Sequence, residues 1–227
     1  MEAHRDPDLA LIRACQNPNS EGFEAAFESL YQRYRDRVYS IAFRIVGTSG
    51  DAMDVVQEGF SLVFRKLASF RFDSLFSTWL FRLVVNCAID HKRQRRNRPL
   101  GNRQAACSDD SEFHDEHEPA DRDRASPFDM AATQELGEHV HQCLQRLSPK
   151  LRAILVLRYL ESMSYEELAA TLDLSMGTVK SRLARAHLAI EQVLKGTLGA
   201  FGYQEEDGGR LGEPSSQPRV PGSEGVA

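Results

Sequence analysis

The 227-residue sequence predicts an all-α protein made of two small helical domains joined by a flexible linker. Three observations carry this reading. Apolar residues recur at three-and-four spacing from Phe23 to Leu67 and again from Leu151 to Val193. No stretch sustains the period-two alternation of a half-buried strand. Between the periodic regions, residues 98–134 gain Asp, Glu, Ser and Pro and are too polar to bury a core.

Residues 1–19 read as a polar lead-in. The first helix follows from Phe23 through Phe27, Leu30, Tyr34, Val38, Ala42 and Ile45, and Gly47-Thr48-Ser49-Gly50 ends it. A second helix, about Asp51 to Leu67, buries Ala52, Val55, Gly59, Val63 and Leu67, while Asp51, Asp54, Gln57 and Glu58 share its polar side. Acidic residues in its first turn suit the positive end of the helix dipole. Ala68 to Ser77 reads as a loop, with Ser77 as the cap of a third helix from Thr78 to about Arg96. These elements form a domain over 20–97.

After the linker 98–134, a second domain spans 135–196, with helices resuming near Ala131. Ser148-Pro149 is a cap followed by Pro at the first helical position, leading into Leu151, Ile154, Leu155 and Tyr159. Ser164 and Glu167 form a capping box ahead of Leu168, Ala169 and Leu172. Past the turn Asp173-Leu174, Ser175 caps a last helix with the stripe Val179, Leu183, Ala186, Ile190 and Val193. Two helices about a short turn make a helix-turn-helix. The Gly-, Pro- and acid-rich tail 197–227 is expected to be disordered.

The formal net charge of −5 looks wrong for a nucleic-acid binder until it is divided by segment. Residues 101–130 carry 3 basic against 9 acidic side chains, and 201–227 carry 2 against 5, so the acid lies in linker and tail. Both helical regions are slightly basic. Cys15, Cys87, Cys107 and Cys143 lack paired spacing, which fits reduced thiols rather than a disulfide framework. No stretch approaches the ~20 apolar residues of a membrane span and no leader is evident, so a soluble, cytoplasmic protein is expected.

Five of the nineteen aromatic residues, Phe70, Phe72, Phe76, Trp79 and Phe81, fall within twelve positions, and a basic run from His91 to Arg98 follows. Stacking platforms beside cations suit a nucleic acid with exposed bases. A helix from Thr78 would place Arg93 roughly 21 Å beyond Trp79, so one rod could touch both unstacked bases and neighbouring phosphates. The same residues equally describe core aromatics and a cationic helix C-terminus favoured by its dipole. In the last helix, Thr178, Lys180, Ser181, Arg182 and Arg185 lie opposite the apolar stripe, the layout of a helix that reads the major groove.

Taken together, Asp51-Ala52-Met53-Asp54-Val55-Val56-Gln57-Glu58-Gly59-Phe60, Phe70-Arg71-Phe72-Asp73-Ser74, Trp79-Leu80-Phe81-Arg82-Leu83-Val84-Val85-Asn86 and Gly177-Thr178-Val179-Lys180-Ser181-Arg182 resemble the extracytoplasmic-function sigma factors of bacteria. The resemblance covers roughly 20–97 and 135–195. It implies a dissociable specificity subunit of RNA polymerase with a sigma-2 domain for the minus-10 element and a sigma-4 domain for the minus-35 element. By position, it gives Asp51, Asp54, Gln57 and Glu58 to the polymerase clamp. Phe70, Phe72, Asp73 and Ser74, with Phe81 and Asn86, would hold a flipped non-template base, and Lys92, Arg93, Arg95 and Arg96 the upstream phosphates. Thr178, Lys180, Ser181, Arg182 and Arg185 would contact the minus-35 duplex. Trp79 would be mainly structural. Met53 and Gly59 depart from the usual Glu and Thr of the family. An anti-sigma factor is the further partner the resemblance implies. It also implies a linker threading the polymerase, where the acid either imitates nucleic acid or keeps the segment extended.

No cofactor or metal is expected. His139, His141 and Cys143 point about 200° apart in successive pairs on a helix and do not converge, and His114 and His117 sit in the acidic linker. No phosphate-cradling glycine loop or nucleophile motif appears, so the chain is not expected to be an enzyme. Two other functions compete. An autonomous helix-turn-helix regulator would bind duplex without polymerase, and a decoy for an anti-sigma factor would need a receiver domain for which the chain has no room.

Overall fold

The computed structural model describes residues 6–17, 22–97 and 127–200, with side chains omitted at 97, 127–134 and 197–200. Of the linker expected over 98–134, residues 98–126 lie outside the described residues, with Cys107, His114 and His117, while 127–134 are helical. Of the expected tail 197–227, residues 197–200 are helical and the rest lies outside the described residues, and with these parts the expected role of each segment. Among the described residues every regular element is helical: α1 Leu9–Cys15, α2 Phe23–Val46, α3 Ser49–Lys66, a 3-10 turn Leu67–Ser69, α4 Phe76–Asn97, α5 Pro127–Gln145, α6 Pro149–Tyr159, α7 Tyr165–Leu172 and α8 Met176–Ala200.

The turn after α2 and the caps of α7 and α8 act where the sequence places them, whereas α3 starts at Ser49 rather than about Asp51 and Ser148 makes no side-chain cap bond to α6. Gly47 takes a left-handed φ of +94° at the end of α2, and Thr48 caps α3 by accepting from the Asp51 amide. Ser164 and Glu167 make the reciprocal capping box of α7, and the Ser175 hydroxyl accepts from the Thr178 amide at 3.2 Å. Asp173 adopts φ +53° in the turn between α7 and α8, a conformation Asp tolerates better than most residues.

Three further expectations change. The lead-in is not merely polar: α1 buries Ile12 and Cys15 against α2 and belongs to the first domain. Helix α4 begins at Phe76 rather than Thr78, so Ser77 lies within it and is not its cap. Tyr159, expected in the apolar stripe, is 66% exposed at the end of α6, where its hydroxyl meets His187 Nε2 at 2.8 Å.

Helix α2 is the axis of the molecule, packed on α1, α3 and α4 on one side and on α5 and α6 on another. A single apolar core runs from Ile12, Val38 and Phe81 to Ile154, Leu168 and Val179, joining both domains. Their contact also has a polar centre. Arg152 is 3% exposed and donates to the carbonyls of Leu144, Gln145, Leu147 and Ile45 and to Gln145 Oε1. Gln145 Nε2 reaches the Arg44 carbonyl at 3.0 Å, and the His141 ring lies 3.3 Å from the Gly47 carbonyl. Side chains of the second domain thereby satisfy the carbonyls that α2 leaves open at its C-terminus.

Candidate nucleic-acid interface

The aromatic segment folds into a compact loop on the N-terminal end of α4. Phe70 is the hub, with ring centroids 5.0 Å from Phe72, 6.1 Å from Phe76 and 5.1 Å from Trp79. Phe70, Phe76 and Phe81 are buried, whereas Arg71 and Asp73 are exposed and Phe72, Ser74 and Trp79 half-buried. The two readings of the aromatics therefore divide the cluster: Phe76 and Phe81 are core, and Phe72, Asp73 and Ser74 form the accessible rim. Phe81 is 1% exposed beneath the Arg37 guanidinium, 5.0 Å from its ring centroid, so in this conformation its ring faces no ligand. Phe72 has φ +61°, which costs a non-glycine residue about 1–3 kcal/mol and persists where the surroundings enforce it.

Beyond the loop, Asn86 and Arg93 are exposed on α4 and, being seven residues apart, lie on one face with Arg82. The basic run is less uniform than its sequence. Arg93 pairs with Asp90 at 3.2 Å, Arg95 with Asp51, and Arg96 is exposed. Lys92 is half-buried, and its pKa is lowered by burial and by nearby Arg152.

The acidic face of α3 also divides. Asp54, Gln57 and Glu58 are exposed beside Met53, but Asp51 is buried, with His91 Nε2 at 3.1 Å on one oxygen and Arg95 on the other. Burial raises the Asp51 pKa, but hydrogen bonds from Arg95, His91 and Thr48 outweigh it and the net shift is downward. Asp51, Asp54 and His91 bring potential metal ligands within 4.8 Å of one another, yet protein donors already occupy both Asp51 oxygens. Asp51, held by His91 and ion-paired with Arg95, is a junction between α3 and α4. Gly59 lies on the buried side, where an added Cβ would stand 3.3 Å from a Val84 methyl, so its small size serves the α3–α4 contact.

In the helix-turn-helix, α8 buries Val179, Leu183 and Ala186 and exposes Lys180, Ser181 and Arg185, with Thr178 and Arg182 half-buried. Ser181 donates to the Thr178 carbonyl at 3.1 Å, and Arg185 Nε to the Ser181 carbonyl at 3.3 Å. The Arg182 pKa is lowered by burial and by Arg185. Thr178, Ser181, Arg182 and Arg185 thus share one side of a capped helix N-terminus, the form that enters a major groove, and Lys180 lies about 100° further round the helix from Ser181.

Two domains carrying these features match known families in the same order. Residues 30–98 match the family model for Sigma-70 region 2, and residues 138–190 that for Sigma-70, region 4. The chain is 37% identical to the RNA polymerase sigma-H factor of Pseudomonas aeruginosa over 84% of its own length and 95% of that protein's. It is 38% identical to the ECF RNA polymerase sigma-E factor of Escherichia coli, over 81% of this chain and 92% of the other. The chain belongs to the extracytoplasmic-function RNA polymerase sigma factors. Among solved structures this sigma factor is similar to CnrH in complex with the cytosolic domain of CnrY, with a TM-score of 0.58, 26% identity and coverage of 84% and 99% of the two chains. Its fold is also that of RpoE from Bartonella quintana, a sigma factor in complex with the anti-sigma factor NepR, at TM-score 0.54, 22% identity and coverage of 74% and 96%.

The sigma-2 domain of this sigma factor thus carries the aromatic loop and basic helix, and the sigma-4 domain the helix-turn-helix. The two are packed together here: Arg82 on α4 donates to the Ala170 carbonyl on α7, and Arg37 pairs with Glu161. Residue-by-residue reading missed Asp6, Asp8, Gln16, Gln145 and Arg152. Ordinary polar residues give no local signal when their partners lie far along the chain. Among the described residues no helix is long and apolar enough to cross a membrane.

Proposed function

We propose that this sigma factor guides core RNA polymerase to promoters by reading the minus-35 element as duplex and opening the minus-10 element. Thr178, Lys180, Ser181, Arg182 and Arg185 reach base edges and phosphates from α8. The rim of Phe72, Asp73 and Ser74, backed by Phe70, receives a base flipped from the non-template strand, and Asn86 and the basic end of α4 hold the strand beyond it. Phe81 serves by supporting the loop from the core. Asp54, Gln57 and Glu58 contact the polymerase clamp, while Asp51 and Arg95 act first by fixing α3 on α4. The chemistry of RNA synthesis belongs to the polymerase, and the sigma factor works with it in the cytoplasm.

The observation that carries this reading is the aromatic loop seated on the end of a long helix whose far end is basic, in the same chain as a capped helix-turn-helix. Extruding a base costs a few kcal/mol, which stacking and edge hydrogen bonds in such a rim can offset. An anti-sigma factor is the expected restraint. An apolar groove of about 430 Å³ on the second domain, lined by Val140, Leu144, Leu155, Tyr159 and His187 together with Arg44 of α2, suits one of its helices.

The test is a gel shift on promoters found by aligning the start sites of transcripts that rise when the chain is overproduced. Binding should be weak for the isolated chain and strong with core polymerase. Tight binding to palindromic duplex without polymerase would instead identify an autonomous helix-turn-helix regulator.

A further inference from the structure

Helix α4 starts without a local cap. The residue before it is Leu75, whose carbonyl accepts from Trp79 but whose side chain can accept nothing. The acceptor comes from 70 positions away: Asp6 Oδ2 takes the Phe76 amide at 2.5 Å, and Asp6 Oδ1 takes the Asp8 amide at 2.9 Å. One carboxylate thus joins the approach to α1 to the N-terminal end of α4, where its charge also suits the dipole. At the other end of the loop, Gln16 Nε2 donates to the Phe70 carbonyl at 2.8 Å.

Between these two ties, α1 is anchored firmly. Asp8 is 1% exposed and accepts from Arg33 and from the Tyr34 hydroxyl. The Tyr34 ring meets Phe76 edge-on at 5.3 Å, and Ile12 and Cys15 are fully in the core. The loop so held contains the left-handed Phe72, a conformation that needs enforcement from outside the loop.

We infer that residues 6–16 form a brace that presets the base-capturing loop, with Asp6 and Gln16 as positioning residues for promoter opening. This rests on the proposal that the 70–74 loop receives the flipped base. The segment lies before the residues matched by the region 2 family model, which begin at 30. A loop already in its receiving shape loses less freedom when the base arrives, so the brace raises opening rather than initial capture.

The test uses holoenzyme made with the full chain. Permanganate reactivity of non-template thymines reports opening, protection of the minus-35 region reports duplex capture, and titration of core polymerase reports assembly. Removing either tie should lower opening about five- to tenfold in Asp6→Ala and in Gln16→Ala, with capture and assembly within about twofold of the parent. Asp6→Asn keeps one oxygen for the Phe76 amide while giving up the Asp8 amide and the charge, and should recover part of the opening lost in Asp6→Ala. Parental opening in the double variant Asp6→Ala/Gln16→Ala, or an equal fall in all three readouts without rescue by Asp6→Asn, would overturn the brace. Phe72→Ala and Ser74→Ala separate the two ideas. If they leave opening untouched, the base-capture reading fails and takes the brace with it. If they impair opening and the Asp6 and Gln16 variants do not, the brace alone is wrong.

Discussion

Arg152 donates to the main-chain carbonyl of Ile45, so a guanidinium from the sigma-4 domain closes the end of the long helix of the sigma-2 domain. Its other partners are carbonyl oxygens and the Gln145 amide, and burial lowers its pKa to about 10. No carboxylate is among these partners, so the contact depends on hydrogen bonds from a desolvated cation. Arg152→Met keeps the apolar stem and strands several buried carbonyls at roughly 1–3 kcal/mol each. Denaturant unfolding should show a total loss of about 3 kcal/mol; an unchanged midpoint would mean that the network contributes little.

His141 makes the same junction sensitive to acid. Its Nε2 lies 3.3 Å from the Gly47 carbonyl, which requires the proton on Nε2, and its buried Nδ1 has no hydrogen-bond partner among the described residues. Burial lowers its pKa from 6.5, the Gly47 carbonyl opposes that, and Arg44, Arg152 and Lys92 add to the lowering. A histidine with a depressed folded pKa contributes stability that is present above 6.5 and lost as pH falls below it. His141→Phe, retaining a ring for the stack on Phe43, should flatten the stability profile below about pH 6.5. A thermal-melting series that keeps the parent's slope would assign the acid response elsewhere.

Asp51 titrates in a lower window. Its folded pKa is below the ordinary 3.8, so its contribution is complete above that value and lost as pH falls through the folded value. Asp51→Asn should cost about 1–3 kcal/mol at neutral pH and progressively less as the pH falls below 3.8. It should also loosen the α4 end that carries Arg95. A neutral-pH unfolding curve matching the parent would show that His91 and Arg95 find other partners.

Promoter capture and opening should separate by residue. Arg182→Ala or Arg185→Ala should weaken minus-35 recognition by ~1–3 kcal/mol for each base pair that the arginine reads, while Asn86→Ala should impair opening with capture retained. Footprinting beside permanganate reactivity distinguishes them. Equal loss of both signals for Asn86→Ala would remove its assigned role.

Much of the fold is legible in the sequence because its signals are local. Apolar spacing marks α2, α3 and α8, and caps at Ser164 and Ser175 follow from one or two side chains. The start of α4 is not legible because Ser77 looks like a cap, whereas Asp6 lies 70 residues away. Helix α1 escapes because seven residues carry too little periodicity, with Ile12 and Cys15 its only buried positions. At the candidate site, helical spacing marks Arg185 as a surface residue, but it does not say which of Phe72 and Phe81 is core or that Asp51 and Arg95 neutralise each other. Burial and ion pairing depend on which helices meet. The chain does not announce this.

The most direct test of the whole account is run-off transcription from genomic fragments with core polymerase stripped of its own specificity subunit. Adding this chain should start RNA synthesis at a small set of sites sharing two spaced upstream elements, and Phe72→Ala should reduce it at all of them. If no fragment yields a specific transcript with the chain present, promoter direction is not its function.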